Sequence, residues 1–202
     1  MKVGIIGAGN VGKGCALALM LRGACDEIVL IDRDEELATG VGTDLSHGAL
    51  LCETRVVRAG RYDDLEDAAL VIVTAGRNEK AGGAAERGDS EGRLRLLPHN
   101  ARVFGDIIPG VARIAPEVPV LVVTDPPDAL TDVARKLTKT NPLVSAGTYL
   151  DSLRFRLHVA RCLNVPVESV DGQVLGEHGA SAVAVWSACR VDCAMTRAYA
   201  EL

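Results

Sequence analysis

The sequence predicts an α/β protein, in which a doubly wound parallel sheet is followed by a second, smaller domain. Apolar segments of strand length alternate with segments of helical spacing, an order typical of a sheet covered by helices on both faces. The composition agrees, because 21 glycines stand among many Val, Ile, Leu and Ala residues. We place the sheet domain at residues 1–146 and the second domain at residues 147–202.

The first part of the chain contains four predicted strands and two predicted helices. Residues 10–22 have the apolar spacing of a helix, which ends at Gly23. Residues 35–50 have the same spacing, although three glycines weaken this prediction. Four apolar segments before, between and after these helices predict strands at residues 2–7, 27–32, 54–60 and 68–76.

A long segment without periodicity, residues 77–93, follows the fourth strand. It is rich in glycine and charge, so we expect a loop. Loops of this length inside a compact domain are usually functional lids or disordered segments. The next segment, residues 94–115, has helical spacing that we expect to break near Pro109, because proline lacks a backbone N–H.

The rest of the chain predicts two more strands, two helices and a hairpin. The apolar strand at 118–125 ends at Pro126–Pro127, which opens a helix reaching about residue 139. A short strand and an amphipathic helix come next, and two alternating segments then predict a hairpin. These elements cover residues 143–147, 148–163, and 170–179 with 181–191.

The net charge and the distribution of cysteines indicate which binding partners and which cellular location to expect. A net charge of −5 gives no reason to expect nucleic acid or an anionic membrane as a partner. We expect no signal peptide, because the first strand starts at Lys2, and no membrane span, because the apolar runs are too short. The six cysteines are scattered without a CxxC pair, so we predict no metal site and a reducing, cytoplasmic location.

The turn after the first strand matches the dinucleotide-binding pattern GxGxxG, and the spacing predicts a Rossmann sheet. The motif GAGNVG contains Gly7, which permits the tight turn, Gly9, which lets the backbone approach a pyrophosphate, and Gly12, which allows close helix packing. Asn10 and Val11 are its variable positions, at the helix N-terminus that faces the phosphates.

Asp32 completes this pattern at the end of the second strand, 20 residues after Gly12. A carboxylate at this place accepts hydrogen bonds from an adenosine ribose and repels a 2′-phosphate. The pattern therefore predicts NAD as the cofactor, although Arg33 could soften the preference over NADP. An ordinary strand–helix turn with a capping aspartate is the alternative interpretation.

A histidine between glycines and an Asp–Arg pair are the candidate catalytic residues. His178 lies in GEHG, and Asp151 and Arg154 lie three apart on one face of the helix 148–163. A carboxylate bonded to one imidazole nitrogen fixes its tautomer, and the other nitrogen can then exchange a proton with a hydroxyl group. An arginine can hold a substrate carboxylate through two parallel hydrogen bonds. A purely structural Asp–Arg pair at a helix N-terminus is equally compatible with the spacing.

Seven motifs together resemble one family, the lactate/malate dehydrogenases. They occur in the family's order and span essentially the whole chain, and GTYLDSLRFR with GEHG is the most specific part. The motifs are GAGNVG, IDRD, VTAG, GRLRLLPHN, VTDPPDAL, GTYLDSLRFR and GEHG.

The resemblance implies a role for each candidate residue. It implies that His178 is the proton donor and acceptor, that Asp151 orients it, and that Arg154 holds the substrate carboxylate. Arg93 matches the lid arginine that polarises the substrate carbonyl. The resemblance also implies homo-oligomers, either dimers or tetramers, a cis peptide between Asp125 and Pro126, and further cofactor-lining residues. These are Thr74, Ala75, Gly76, Asn100, Val123 and Thr124.

The sequence departs from the family pattern at three places. Asp125 stands where the family has asparagine, and an ionised carboxylate cannot donate a hydrogen bond to the substrate oxygen. In the lid, the specificity position is Arg87 when counted from Arg93 but Glu79 when counted from VTAG. Arg87 resembles the arginine with which the malate enzymes bind the second carboxylate, whereas Glu79 would disfavour a dicarboxylate. We favour Arg87 as a substrate-binding residue, because a pair of arginines suits the recognition of an anion. The alternative is that Arg87 merely solvates the loop. The chain also ends at Leu202, where family members continue with further helices, so the resemblance implies that residues 147–202 are an incomplete domain, the first part of an α+β substrate domain.

The sequence thus predicts an NAD-dependent oxidoreductase for a small 2-hydroxy or 2-oxo acid. Malate with oxaloacetate and lactate with pyruvate are the two expected substrate pairs. Asp125 and the short C-terminal part leave open a non-catalytic NAD(H)-binding fragment or a degenerate family member. An assembly protein is a third possibility, which only the C-terminal end suggests.

Overall fold

The computed structural model describes residues 1–77 and 92–192. The chain divides into two compact units, Met1–Ser145 and Ala146–Leu202.

The first unit is built on a six-stranded parallel sheet. The strands are β1 (Lys2–Ile6), β2 (Glu27–Ile31), β3 (Val56–Ala59), β4 (Ala68–Val73), β5 (Val120–Val122) and β6 (Leu143–Ser145). Their order in the sheet is β3-β2-β1-β4-β5-β6, and every pair is parallel. The strand order reverses between β1 and β4, and a dinucleotide crosses such a sheet at the carboxyl ends of the strands near this point.

Four helices accompany the described part of this sheet. They are α1 (Asn10–Leu21), α2 (Glu35–Ala49), α3 (Leu97–Ile114) and α4 (Pro127–Leu137). The side chain of Asp34 caps α2 by accepting a hydrogen bond from the Leu37 N–H at 3.0 Å. Alternating parallel strands and helices confirm the predicted α/β fold class.

Alternate residues of the strands pack against the two faces of the sheet. In β2, Ile28 and Leu30 belong to the cluster formed with α1 and α2, whereas Val29 and Ile31 belong to the cluster formed with α3 and α4. All four side chains are buried. Because helices cover both faces, the strands are apolar throughout, and this explains the continuous apolar segments in the sequence.

The predicted break at Pro109 is wrong, because α3 runs without interruption from Leu97 to Ile114. A proline inside a helix costs about 3 kcal/mol through a lost hydrogen bond and a steric clash. Four large apolar side chains of the same helix are buried on both sides of the proline, and each contributes about 1.5–3 kcal/mol. These side chains, which outweigh the cost, are Phe104, Ile107, Ile108 and Val111.

The second unit contains one long helix and two short antiparallel pairs. The helix is α5 (Tyr149–Leu163), and the strands are β7 (Val170–Asp171), β8 (Val174–Leu175), β9 (Val183–Ala184) and β10 (Arg190–Val191). Strand β8 pairs with β9, and β7 pairs with β10. The predicted hairpin is therefore present, but its strands are shorter than expected, since a 3-10 turn at Trp186–Ala188 interrupts the second arm.

Aromatic packing holds this hairpin on the helix. The ring of Phe155 on α5 meets the ring of Trp186 edge to face, with the centroids 4.8 Å apart.

In the described part of the chain, none of the helices combines the length and the apolar character needed to cross a bilayer.

Candidate functional site

The glycine turn joins β1 to α1 through two close backbone contacts. Gly7 has a φ of +107°, a conformation that side chains rarely adopt. A Cβ atom on Gly12 would lie 1.8 Å from the carbonyl oxygen of Gly7, so the helix can approach the turn only without a side chain. Thr74 at the end of β4 donates a hydrogen bond to the same oxygen at 2.8 Å.

The N-terminus of α1 fits a bound pyrophosphate. A Cβ atom on Gly9 would have no atom within 4 Å, so the backbone here faces open space. No side chain caps the helix and its first turn contains no acidic residue, so the positive end of the helix dipole is not neutralised locally. Asn10 and Val11, the first two helical residues, are both exposed.

Asp32 lies at the end of β2 and bonds directly to the glycine turn. Its Oδ2 atom accepts the Ala8 N–H at 2.7 Å, and its Oδ1 atom accepts the Asp34 N–H at 3.0 Å. A carboxylate has about four acceptor positions, so these bonds leave capacity for ribose hydroxyl groups. Asp32 therefore fits a cofactor ribose and also fixes the turn that would hold the phosphates.

Sequence reasoning missed Arg61, which lines the same groove as Asp32. A groove of about 200 Å³ lies at the carboxyl ends of β2 and β3, and Asp32 and Arg61 are among its lining residues. The Arg61 guanidinium pairs with Glu35 at 3.2 Å. Only the parallel pairing of β2 with β3 brings this arginine to the groove, and no motif in the sequence marks it.

The residues expected to line the cofactor follow β4 and β5, two adjacent strands. Thr124 is buried, and its hydroxyl group donates a hydrogen bond to the carbonyl oxygen of Ala75 at 2.9 Å, with the carbonyl oxygen of Val73 farther away at 3.3 Å. Val123 is half-buried, and Gly76 is exposed. The structure thus brings these residues to the carboxyl edge of the sheet, next to the glycine turn.

Asn100 on α3 is completely buried, at 0% exposure. Its Oδ1 atom accepts the Arg77 N–H at 2.7 Å, and its Nδ2 atom donates to the carbonyl oxygens of Asp125 at 2.7 Å and Arg77 at 3.3 Å. The peptide bond between Asp125 and Pro126 is cis, as the resemblance implies.

In the second unit, His178 and Asp151 form a hydrogen bond. The Nδ1 atom of His178 lies 2.5 Å from Oδ2 of Asp151, and the two side chains are only 13% and 19% exposed. Asp151 lies in the first turn of α5, and His178 lies in the loop between β8 and β9. The arrangement holds one ring nitrogen against a carboxylate, which fixes the orientation of the imidazole ring.

Arg154 contacts the other oxygen of the Asp151 carboxylate. Its NH1 atom lies 3.1 Å from Oδ1 of Asp151, and its side chain is 53% exposed. Partial burial opposes ionisation of Asp151, but the hydrogen bonds and charges of His178 and Arg154 outweigh it and lower the pKa of this carboxyl below its ordinary value. Asp151 is therefore an ionised partner for the histidine over the physiological pH range.

Ser152 is a second residue that sequence reasoning missed. Its hydroxyl oxygen accepts the Val174 N–H at 2.9 Å and lies 2.9 Å from the carbonyl oxygen of Thr148, to which it donates. Val174 begins β8, the strand that leads into the histidine loop. Ser152 therefore fixes this strand against α5, one residue after Asp151.

The lid candidates are not placed by the structure. Arg87 and Glu79 lie outside the described residues. Only the backbone of Arg93 is described, within the 3-10 turn Gly92–Leu96. Within residues 1–77 and 92–192, no group of three or more His, Cys, Asp or Glu side chains could hold a metal ion.

Comparisons with known proteins match both units of this chain. Residues 1–144 match the NAD-binding domain model of the lactate/malate dehydrogenases, and residues 148–201 match the model of their alpha/beta C-terminal domain. The chain belongs to the lactate/malate dehydrogenase family. The first of these domains binds NAD, so NAD is the cofactor, in agreement with the glycine turn and Asp32.

Individual relatives within the family carry the name L-lactate dehydrogenase. The chain is 44% identical over 191 residues to that of Deinococcus radiodurans and 42% identical over 203 residues to that of Thermus aquaticus. These alignments cover 95% and 100% of this chain but only 60% and 63% of the relatives.

A solved structure, the minor L-lactate dehydrogenase of Enterococcus mundtii, superposes with a TM-score of 0.83 at 37% identity. The match covers 99% of this chain and 62% of the other. The chain thus spans about 60% of the length of the lactate dehydrogenases that it matches.

Proposed function

We propose that the chain forms the cofactor-binding and proton-transfer part of an NAD-dependent L-lactate dehydrogenase, which interconverts pyruvate and lactate. The observation that carries the proposal is the 2.5 Å contact between His178 and Asp151, with Arg154 on the second carboxylate oxygen. Identities of 42% and 44% to L-lactate dehydrogenases support the choice of substrate.

In this proposal, His178 supplies and removes the proton of the substrate oxygen. Asp151 accepts from Nδ1, so the proton that is transferred resides on Nε2. The ionised carboxylate stabilises the imidazolium form, which is the form that can protonate a carbonyl oxygen during reduction. In the reverse direction, the neutral ring accepts the hydroxyl proton of lactate.

Arg154 binds the substrate carboxylate. A guanidinium has five N–H donors, and the contact with Asp151 uses one of them. Arg93 polarises the substrate carbonyl from the lid, a role that rests on the resemblance alone. NADH, when bound, supplies the hydride that reduces the carbonyl carbon.

Pyruvate is proposed over oxaloacetate because of the relatives' names. The contrary interpretation, that Arg87 binds a second carboxylate, gets no support from these relatives, since they carry the name L-lactate dehydrogenase. Arg87 and Glu79 both lie outside the described residues, so the lid geometry does not enter the proposal.

The test is NADH oxidation by the purified chain, with pyruvate and oxaloacetate at equal concentrations and NADH binding followed by fluorescence. Turnover that favours pyruvate supports the proposal, and turnover that favours oxaloacetate overturns the substrate assignment. NADH binding without turnover on either acid favours the rival function.

That rival is a non-catalytic NAD(H)-binding protein, and Asp125 is the observation that favours it. A carboxylate replaces the family's hydrogen-bond-donating amide next to the cis peptide.

Cytoplasmic location and homo-oligomerisation complete the proposal. The location rests on the scattered cysteines, and assembly into dimers or tetramers rests on the family resemblance. Sedimentation of the purified chain tests the assembly, and a monomer at micromolar concentration would contradict it.

A further inference from the structure

We propose that Asn100 is a positioning residue, which holds the ends of β4 and β5 in the arrangement that the nicotinamide half of the cofactor requires. The resemblance implies a direct cofactor contact for this residue. The structure instead places its amide inside the protein, between two backbone segments. The inference rests on NAD binding by the first unit and does not depend on the catalytic part of the proposed function.

The hydrogen bonds of Asn100 leave it no donor for a ligand. A side-chain amide has two N–H hydrogens, and here one goes to the Asp125 carbonyl oxygen and the other to the Arg77 carbonyl oxygen. The residue is 0% exposed, so a bound molecule cannot reach it while these bonds persist.

The amide replaces the strand partners that the backbone loses after β4. Strand β4 ends at Val73, and by Arg77 the chain has left the sheet. Asn100 accepts the N–H of Arg77 and donates to its C=O, the two bonds that a neighbouring strand would otherwise make. The same side chain donates to Asp125, three residues after the end of β5 at Val122.

The position of these segments in the sheet suggests which part of the cofactor depends on them. A doubly wound sheet binds a dinucleotide with two mononucleotide-binding halves, and the adenosine half lies on β1 to β3 with the glycine turn and Asp32. Strands β4 and β5 belong to the second half. Loss of the Asn100 bonds should therefore weaken NADH binding while ADP binding persists.

The experiment compares Asn100→Leu with Asn141→Leu. Leucine has nearly the shape of asparagine without its hydrogen bonds. Asn141 is the matched control, because it is also buried and donates to two backbone oxygens, those of Ala115 at 2.7 Å and Val118 at 3.0 Å. These three residues precede β5 and β6, so they lie at the opposite edge of the sheet.

Three quantities are measured on each variant: NADH affinity, ADP affinity, and the hydrogen-exchange rate of the Arg77 amide without cofactor. For Asn100→Leu we expect NADH affinity to fall at least tenfold, ADP affinity to change less than twofold, and the Arg77 amide to exchange faster. For Asn141→Leu we expect both affinities and the Arg77 exchange rate to stay within twofold of wild type, despite a comparable loss of stability.

Three results would overturn the inference. Unchanged NADH affinity in Asn100→Leu would show that the bonds do not matter for the cofactor. Weaker NADH binding with unchanged Arg77 exchange would show a direct contact, and an equal loss of ADP binding would show general destabilisation. Should Asn100→Leu fail to fold, Asn100→Ser admits water to the freed backbone groups, and the same measurements decide. Absence of NADH binding by the wild type would instead contradict the cofactor assignment itself.

Discussion

His178 and Asp151 are 27 residues apart in the chain, yet the imidazole Nδ1 lies 2.5 Å from a carboxylate oxygen. The contact exists because α5 presents Asp151 in its first turn while the β8–β9 loop returns His178 to the same place. If this pair transfers the proton, His178→Ala should lower turnover by a factor of about 10² to 10⁴. NADH affinity should stay within twofold, and the control is His158→Ala, an exposed histidine on α5. Equal losses of turnover and NADH binding would show that His178 is structural.

The pKa of Asp151 should depend on Arg154, the second partner of this carboxylate. Burial opposes ionisation, but His178 and Arg154 together hold the pKa below the ordinary value of 3.8. A lowered folded-state pKa contributes stability that is present above 3.8 and is lost as the pH falls through the folded value. Replacing Arg154 by glutamine should therefore raise this pKa and reduce that stabilisation. Carbon-13 NMR titration of the Asp151 carboxyl group measures this pKa in the wild type and in Arg154→Gln. An unchanged midpoint would contradict the contribution of Arg154.

Substitution of Asp32 should change the preference between cofactors. Asp32→Asn keeps the shape of the side chain and removes the charge that repels a 2′-phosphate. We expect the ratio of NADPH to NADH affinity to rise about tenfold, which corresponds to about 1.4 kcal/mol. Asp34→Asn is the matched control, because asparagine can still accept the Leu37 N–H at the start of α2. An unchanged ratio in Asp32→Asn would mean that another residue selects the cofactor.

Replacement of two glycines of α1 by alanine should change the stability of the protein in opposite directions. Gly12→Ala would bring a Cβ atom to 1.8 Å from the Gly7 oxygen, so we expect loss of NADH binding and a lower midpoint of thermal unfolding. Gly14→Ala meets no atom within 4 Å and should stabilise the helix by about 0.5–1 kcal/mol. Thermal unfolding followed by circular dichroism compares the two variants. A stable, NADH-binding Gly12→Ala protein would contradict the close contact between turn and helix.

If Asp125 faces the substrate, as the family resemblance implies, and the substrate is the proposed pyruvate, Asp125→Asn should raise the rate. An amide can donate a hydrogen bond to the substrate oxygen and carries no charge to repel its carboxylate. We expect kcat/KM to increase at least tenfold. Asp132→Asn, which removes an exposed acid paired with Arg135 on α4, is the control for the change in net charge. A fall in kcat/KM would show that Asp125 suits a different substrate.

Local patterns predicted the secondary structure well, since each depends on neighbours in sequence. The strands β1, β2 and β4 and the helices α1 and α2 begin at the predicted residues and end one to three residues earlier than predicted. The prediction of a helix break at Pro109 was wrong, because the outcome depends on packing with distant parts of the chain and not only on neighbours in sequence. The local cost of proline is smaller than the burial of Phe104, Ile107, Ile108 and Val111, and burial depends on distant parts of the chain.

By itself, the sequence determined the α/β alternation, the glycine turn with Asp32, and the three residues Asp151, Arg154 and His178 as a candidate set. Only the tertiary structure decided which side chains bond to which backbone groups. Asp32 bonds to Ala8, Ser152 to Val174, and Asn100 to Arg77 and Asp125. Periodicity and turn chemistry act over a few residues and leave a signal in the sequence. A buried hydrogen bond joins segments that only the packed sheet and helices bring together.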